Sequence, residues 1–446
     1  MALLGAWCGP AAVHAADLYS AERDYKAGDY VHAFQEFLAL AQLGQPVAQF
    51  DVAVLYEAGK GTEQSDIHAY AWASLAARNG DTKGKDLADT IRPHLAPGSE
   101  GIAGWVTSAY TPAALEENLL PARAGPSHPF PGCKLVHWSS PVYPEYARRR
   151  GIDGTVFVDF TVMPDGSARF PRVIYAVPQG IFEAVVRQSI LRSRFGRLPA
   201  GSRPIDCAFP YHFTLTDTPD WSGVQEYMRQ VKGHATPNDP DAEFVYGLLF
   251  EGLPQFKQPL GAGLPWFVKA AQGGVTAAQY EVGFCLLTGD GCGRDESKAL
   301  KWLEMAADAG EPHAEVTLAM RALSGTPDAA DLARVKTWLN RAAASGNDDA
   351  KLFLAAILAS APQPELRDPR RALELLKSVE SESDDPVTFE IRAAAQAAEG
   401  DFPHAIGSER KAIRKACMLA WDLGPLERRL ACYQSHNPWY GTLLTF

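Results

Sequence analysis

At 446 residues the chain is long enough for about two to four domains. Its 46% hydrophobic and 21% charged residues are those of an ordinary soluble protein that can bury real cores. The formal charge of −11 argues against a general nucleic-acid binder.

The chain opens on a short apolar run, Ala2 to Val13, followed by small residues before Ala16 that suit signal-peptidase cleavage. Residues 1–15 are therefore expected to be a signal peptide. No Lys or Arg precedes the run, which leaves room for a true start upstream. The run is too short to cross a bilayer, so no membrane span is expected in the mature chain.

From Leu18 the sequence is Ala-rich and helical. Residues 17–110 contain Ala48-Gln49, Gly59-Lys60-Gly61, Ala69, Trp72, Ala76-Ala77 and Gly80. The same letters return 230 positions later as Ala278-Gln279, Gly289-Asp290-Gly291, Ala299, Trp302, Ala306-Ala307 and Gly310. Trp266, Trp302 and Trp338 lie 36 apart, as do the alanine pairs beginning at Ala270, Ala306 and Ala342. A fixed period of this size signals stacked helical hairpins: alanine lets helices approach, tryptophan fills the space between repeats, and glycine ends the helix. The pattern resembles Sel-one-like repeats, relatives of the tetratricopeptide family. It implies an all-α solenoid over residues 17–110 and again over 221–446, with degenerate ends that act as caps.

Between Thr111 and Pro141 the helical pattern stops. Pro112, Pro121, Pro126, Pro129 and Pro131 make 111–132 a stiff connector. A different module follows, at 133–217. Tyr143-Pro144 opens a short helix that Gly151 closes. Val156, Val158, Phe160 and Val162 then alternate with Thr155, Phe157, Asp159 and Thr161, as a strand requires. Asp165-Gly166 suits a tight hairpin turn, and a return strand is expected from Ala168 to Val177. Phe182 begins a helix, and a last strand alternates Ile205, Cys207, Phe209, Tyr211, Phe213 and Leu215.

The order helix, hairpin, helix, strand is one small α+β layer. Tyr143-Pro144, Gly154-Thr155-Val156, Asp165-Gly166, Phe182, Arg194-Phe195 and Pro199-Ala200 make residues 141–216 resemble the C-terminal domain of the TonB family. That resemblance implies protein binding, by pairing a strand with a short peptide of an outer-membrane transporter. The edge strand carrying Ile205, Phe209, Tyr211 and Phe213 is then the candidate peptide site. Pro204 and Pro210 remove two of its donors. Eleven Lys and Arg against seven Asp and Glu give Cys133–Asp217 a net +4 within the acidic chain. Such a module either packs on its acidic flanks or exposes an anion-binding face.

Six cysteines follow the leader, an even count that favours disulfides in an exported protein. Proximity in the expected fold pairs Cys133 with Cys207, Cys285 with Cys292, and Cys417 with Cys432. No zinc site is expected, since there is no Cys-x-x-Cys and no histidine at ligand spacing beside them. His137, His212 and His436 are lone histidines, and Gly80 to Lys85 is a helix junction in place of a phosphate loop. No catalytic motif and no cofactor signature appears. The sequence thus reads as an exported periplasmic, non-enzymatic interaction scaffold, with envelope proteins or peptides as partners. A TonB-type energy transducer in outer-membrane transport is the alternative, and an envelope enzyme without a familiar motif is a third class.

Overall fold

The computed structural model describes residues 16–122, 133–199, 205–215, 222–252, 261–289, 291–324, 327–379, 385–441 and 443. The expected signal peptide, residues 123–132 of the Pro-rich connector, Ala200, Pro204 and Asp290 lie outside them. Helices dominate, with a small sheet region between Leu135 and Phe213, as the repeats and the alternating stretch predict. The chain clusters into two compact units. One gathers Met1–Ser127, Val224–Glu251 and Pro259–Ala314, the other His128–Gly223, Gly252–Gln258 and Glu315–Phe446.

The repeated letters of the first unit each have a physical task. Gln49 is fully buried, and its Nε2 donates to the Ala41 carbonyl at 3.0 Å. Gln279 does the same to Ala271 at 3.2 Å, so each Ala-Gln pair satisfies a carbonyl at the end of the preceding helix. Trp72 and Trp302 are buried in the alanine-rich helical cores, with Trp72 stacked on Tyr110 at 5.5 Å. Gly61, with φ +72°, has no substitute: a Cβ there would fall 1.9 Å from the Tyr30 carbonyl oxygen.

Helical segments from both sides of the TonB-like stretch meet within this unit. The expected connector begins with a further helix, Pro112–Asn118, capped by the Thr111 hydroxyl. Its C-terminal carbonyls are taken up from helix Glu296–Asp308. Lys298 Nζ donates to Glu116 and Leu120, Lys301 Nζ to Asn118, and the Trp302 indole to Leu119 at 3.0 Å. Cations at a helix C-terminus are favourable for the same reason that its carbonyls need donors. Nearby, Gln272 Nε2 donates to the Leu43 carbonyl and Gln45 Nε2 to that of Pro237.

The second unit contains the strands. β1 (Leu135–His137) pairs with β4 (Arg194–Phe195), while β2 (Gly154–Val162) lies between β3 (Ala168–Val177) and β5 (Ile205–Phe213) in one antiparallel sheet. Helix Glu183–Arg192 covers one face, sealing Val186 and Ile190 against Val156, Val158 and Phe160. Cys133 is bridged to Cys207 of β5, and in the first unit Cys285 is bridged to Cys292.

The expected bridge between Cys417 and Cys432 is absent, and both are free thiols. Cys432 packs on the same buried cluster as Phe402 and Ile406, which includes Ala405 near the start of helix Phe402–Met418, whereas Cys417 sits at its far end. Eleven residues of helix separate Ile406 from Cys417, about 16 Å along the axis, far beyond disulfide reach.

Candidate functional site

The residues expected to define the TonB-like module converge on its hydrophobic core. Pro144 precedes helix Glu145–Arg150, and its carbonyl accepts the Arg148 N–H at 2.9 Å. The Tyr143 ring meets Phe182 and Phe213 edge-on, with centroids 5.6 and 5.5 Å away. Its hydroxyl donates to the Ile152 carbonyl at 2.6 Å and to Asp153 Oδ1 at 3.1 Å. Burial, reinforced by Asp153, pushes the Tyr143 phenol up to about 12. Gly154 starts β2 opposite Phe213, and Phe195 is buried against Phe160 at 4.9 Å.

Asp165 and Gly166 form the hairpin turn. Asp165 Oδ1 accepts from the Ser167 N–H and hydroxyl. Burial acts to raise its pKa, but these donors, with the Asp422 N–H, hold it below the usual carboxylate range. Gly166 has φ +80°, its carbonyl accepts the Phe195 N–H, and a Cβ would lie 2.4 Å from the Phe195 oxygen. The turn therefore ties β4 to the hairpin.

Two sheet edges are present, and they differ. β3 carries register shifts, and Phe170 within it adopts φ +53°, a conformation a bulky side chain rarely takes. The Phe170 ring packs on Phe353 of helix Asp348–Ser360 at 5.4 Å. Next to it, the Arg169 guanidinium lies over the Trp421 ring, while Asp165 Oδ2 accepts the Asp422 N–H at 2.7 Å. The C-terminal helices of the second unit thus hold the hairpin at this edge.

β5 pairs with β2 in unbroken register from Ile205 to Phe213 and is an outer strand of the described sheet. Of its candidate side chains, Ile205, Tyr211 and Phe213 are turned toward the core. Phe213 is buried and stacks on Phe182 at 4.2 Å, and Ile205 and Tyr211 pack partly buried against the same cluster. Tyr211 stacks on Trp138 at 5.5 Å. Phe209 and Pro210 pair through their backbones with Val158 and Phe157, and their side chains lie outside the described part. On the opposite face His212 Nδ1 is 3.0 Å from the Thr155 hydroxyl, and burial pushes its pKa down to about 4.

At the end of β5 an apolar surface escapes burial. The Leu215 N–H donates to Asp153 Oδ1, the same oxygen that receives the Tyr143 hydroxyl. Leu215 is 42% exposed, and Val142 and Tyr146, close in sequence to Tyr143, are 73% and 54% exposed. Val142 and Tyr146 were not singled out from the sequence, whereas Leu215 closes the expected alternation of the last strand.

Comparison with known proteins agrees with the two-part architecture. Residues 139–215 match the family described as Gram-negative bacterial TonB protein C-terminal, and residues 46–81 and 276–311 match the Sel1 repeat. A curated relative, protein TonB of Pseudomonas aeruginosa, is 37% identical over 70 residues, which cover 16% of this chain and 20% of that protein. The chain thus spans about a fifth of that relative's length. Among solved structures, the P. aeruginosa TonB C-terminal domain is 32% identical, over 19% of this chain and 88% of that one, with TM-score 0.17. A Sel1 repeat protein from Oxalobacter formigenes is 20% identical, over 44% of this chain and 83% of that one, with TM-score 0.36. A protective antigen of uropathogenic Escherichia coli displaying an SLR fold is 15% identical, over 94% and 81%, with TM-score 0.34. The chain carries a TonB-type C-terminal domain between two Sel1 repeats.

Proposed function

We propose that this chain is an exported periplasmic, non-enzymatic scaffold whose TonB-type domain captures an extended segment of an envelope protein along β5. The observation that carries this reading is the asymmetry of the sheet. The β3 edge is bulged and its hairpin is held by Phe353 and Trp421, while β5 runs in regular register and is followed by the exposed Leu215. An outer strand offers main-chain donors and acceptors to an added strand, and a neighbouring apolar surface supplies side-chain contact. Because Phe213 and Tyr211 face the core, selectivity in this scheme comes from the surface around Leu215 and not from the strand's own aromatic residues. The disulfide at Cys207 holds the strand in place and suits an oxidising compartment. The domain and repeat matches support protein partners.

Photo-crosslinking in intact cells tests the reading. A photoreactive residue is placed singly at Leu215, Tyr146 and Val142, and at Trp105 of the repeats as the comparison. Crosslinks to envelope proteins from the first three positions, reduced by Leu215→Asp, are expected. Crosslinks from Trp105 alone, unchanged when residues 133–217 are deleted, would overturn it.

A further inference from the structure

Around the turn of the β2–β3 hairpin, donor side chains are buried with nothing to donate to. Arg169 is 8% exposed, and its guanidinium carbon stands 4.1 Å above the Trp421 ring. Its Nε has no hydrogen-bond partner, and neither has the indole nitrogen of Trp421, a residue 4% exposed. Arg194 comes to the same turn through its backbone bridge to Ser167, and both its Nη nitrogens are buried and unpartnered. The two guanidinium groups act on each other. Burial makes the Arg194 charge less favourable, Asp165 opposes this, and Arg169 adds to it.

Asp165 is the acid that acts on Arg194, and its oxygens are already engaged. Oδ1 accepts from the Ser167 N–H and hydroxyl, and Oδ2 from the Asp422 N–H. Two permanent cations therefore face one carboxylate, and four buried nitrogens lack an acceptor. Leaving a buried donor unpaired costs about 1–3 kcal/mol, more for a charged one, so native structures rarely do so without reason. An acceptor bearing negative charge would remove both deficits at once. The planar fork of arginine matches the paired oxygens of a carboxylate or phosphate, and an indole N–H adds a directed donor.

We propose that Arg169, Arg194 and Trp421 form a binding site for a small oxyanion, a carboxylate or phosphate group, at the turn of the β2–β3 hairpin. The site is separate from the β5 edge and stands or falls independently of peptide capture there. An acidic group bound at this point would neutralise the surplus cation and fasten the hairpin to the C-terminal helices.

The test uses the full chain in chloride buffer and follows the tryptophan indole N–H signals by NMR, with Trp421 assigned through Trp421→Phe. The probes are inorganic phosphate, acetate, and an N-acetylated trialanine with either a free C-terminal carboxylate or an amide. A saturable shift of the Trp421 signal with an oxyanion, absent with the amide, is expected. Arg194→Gln should weaken it by about tenfold or more. Should that variant fail to fold, Arg194→Lys keeps the charge, loses the fork and should weaken it as well. Saturation by phosphate alone identifies a free anion, and saturation by acetate and the free-acid peptide identifies a carboxylate. Either result supports the site. A linear response that chloride reproduces (an adventitious ion only), or affinity unchanged in both Arg194 variants, would overturn it.

Discussion

Replacing Trp302 by phenylalanine probes how the first unit joins the helical segments on either side of the TonB-type domain. Trp302 is fully buried, and its Nε1–H donates to the Leu119 carbonyl at 3.0 Å. Phenylalanine keeps most of the apolar contact but leaves that carbonyl without its donor, at a cost of about 1–3 kcal/mol. The loss is local, because Lys298 and Lys301 still hold Glu116, Asn118 and Leu120. Hydrogen exchange followed by mass spectrometry reads the right segment, whereas a single melting temperature would mix the two units. Peptides spanning 112–122 should exchange about 5- to 150-fold faster in Trp302→Phe. Trp266→Phe is the control, since the half-buried Trp266 packs on Tyr246 at 4.7 Å and lies elsewhere in the unit. Equal acceleration of 112–122 by both variants, or none by Trp302→Phe, would refute the view that this indole fastens the helix.

Gly166→Ala should destabilise the second unit by more than about 1 kcal/mol, since alanine resists positive φ and its Cβ would meet the Phe195 oxygen at 2.4 Å. Denaturant midpoints for the variant and for Gly180→Ala test this: Gly180 also has positive φ but open space around it, so only the first carries the added overlap. The first unit should lose stability as pH rises from about 4 to about 7. Burial, reinforced by Glu22 and Asp81 against Lys83, lifts the Asp51 carboxyl to about 7, and burial with Asp239, against Lys269, does the same for Glu243. In that window the folded state binds more protons than the unfolded one, so the contribution is complete below the unfolded pKa and fades toward 7, by about 1.4 kcal/mol per pH unit per group. Glu243→Gln should flatten the slope of denaturant midpoint against pH, and a slope that steepens or reverses would show the sign to be wrong.

What the sequence made legible were features in which side-chain type alone sets the geometry. Trp72 and Trp302, the Ala-Gln pairs and the repeat glycines announce stacked helices, because each must fill, satisfy or end a helix at a fixed interval. The alternation through Val162 and the Asp165-Gly166 turn likewise announce the hairpin. Main-chain acceptors leave no such trace. Nothing in Lys298, Lys301 or Trp302 reveals that they meet the carbonyls of residues 116–120, so the helix Pro112–Asn118 was hidden among prolines. Alternation shows which residues of β5 share a face but not which face is inside, and Phe213 and Tyr211 proved to point inward. Cys417 and Cys432 looked close because a turn lies between them, yet depth along each helix sets their distance.

The positive charge of the TonB-type module has the same lesson at larger scale. Its net +4 among acidic neighbours suggested a module that either packs on its acidic flanks or exposes an anion-binding face. Three of its arginines are instead matched at home: Arg148 and Arg149 pair with Glu145, and Arg172 pairs with Asp159. The exposed pairs on Glu145 contribute at most about 1 kcal/mol each, and all three join residues of the module to one another, so they steady their own elements without docking it. The hairpin meets the C-terminal helices through Phe170 on Phe353, Arg169 over Trp421, and Asp165 on the Asp422 backbone. Aromatic packing and one charge-assisted hydrogen bond need close shape agreement, which fixes the hairpin in one register, whereas a field of opposite charges would tolerate sliding. In the scheme proposed above, a strand edge held this way is withdrawn from partners, and a partner strand enters at the regular edge on the far side of β2.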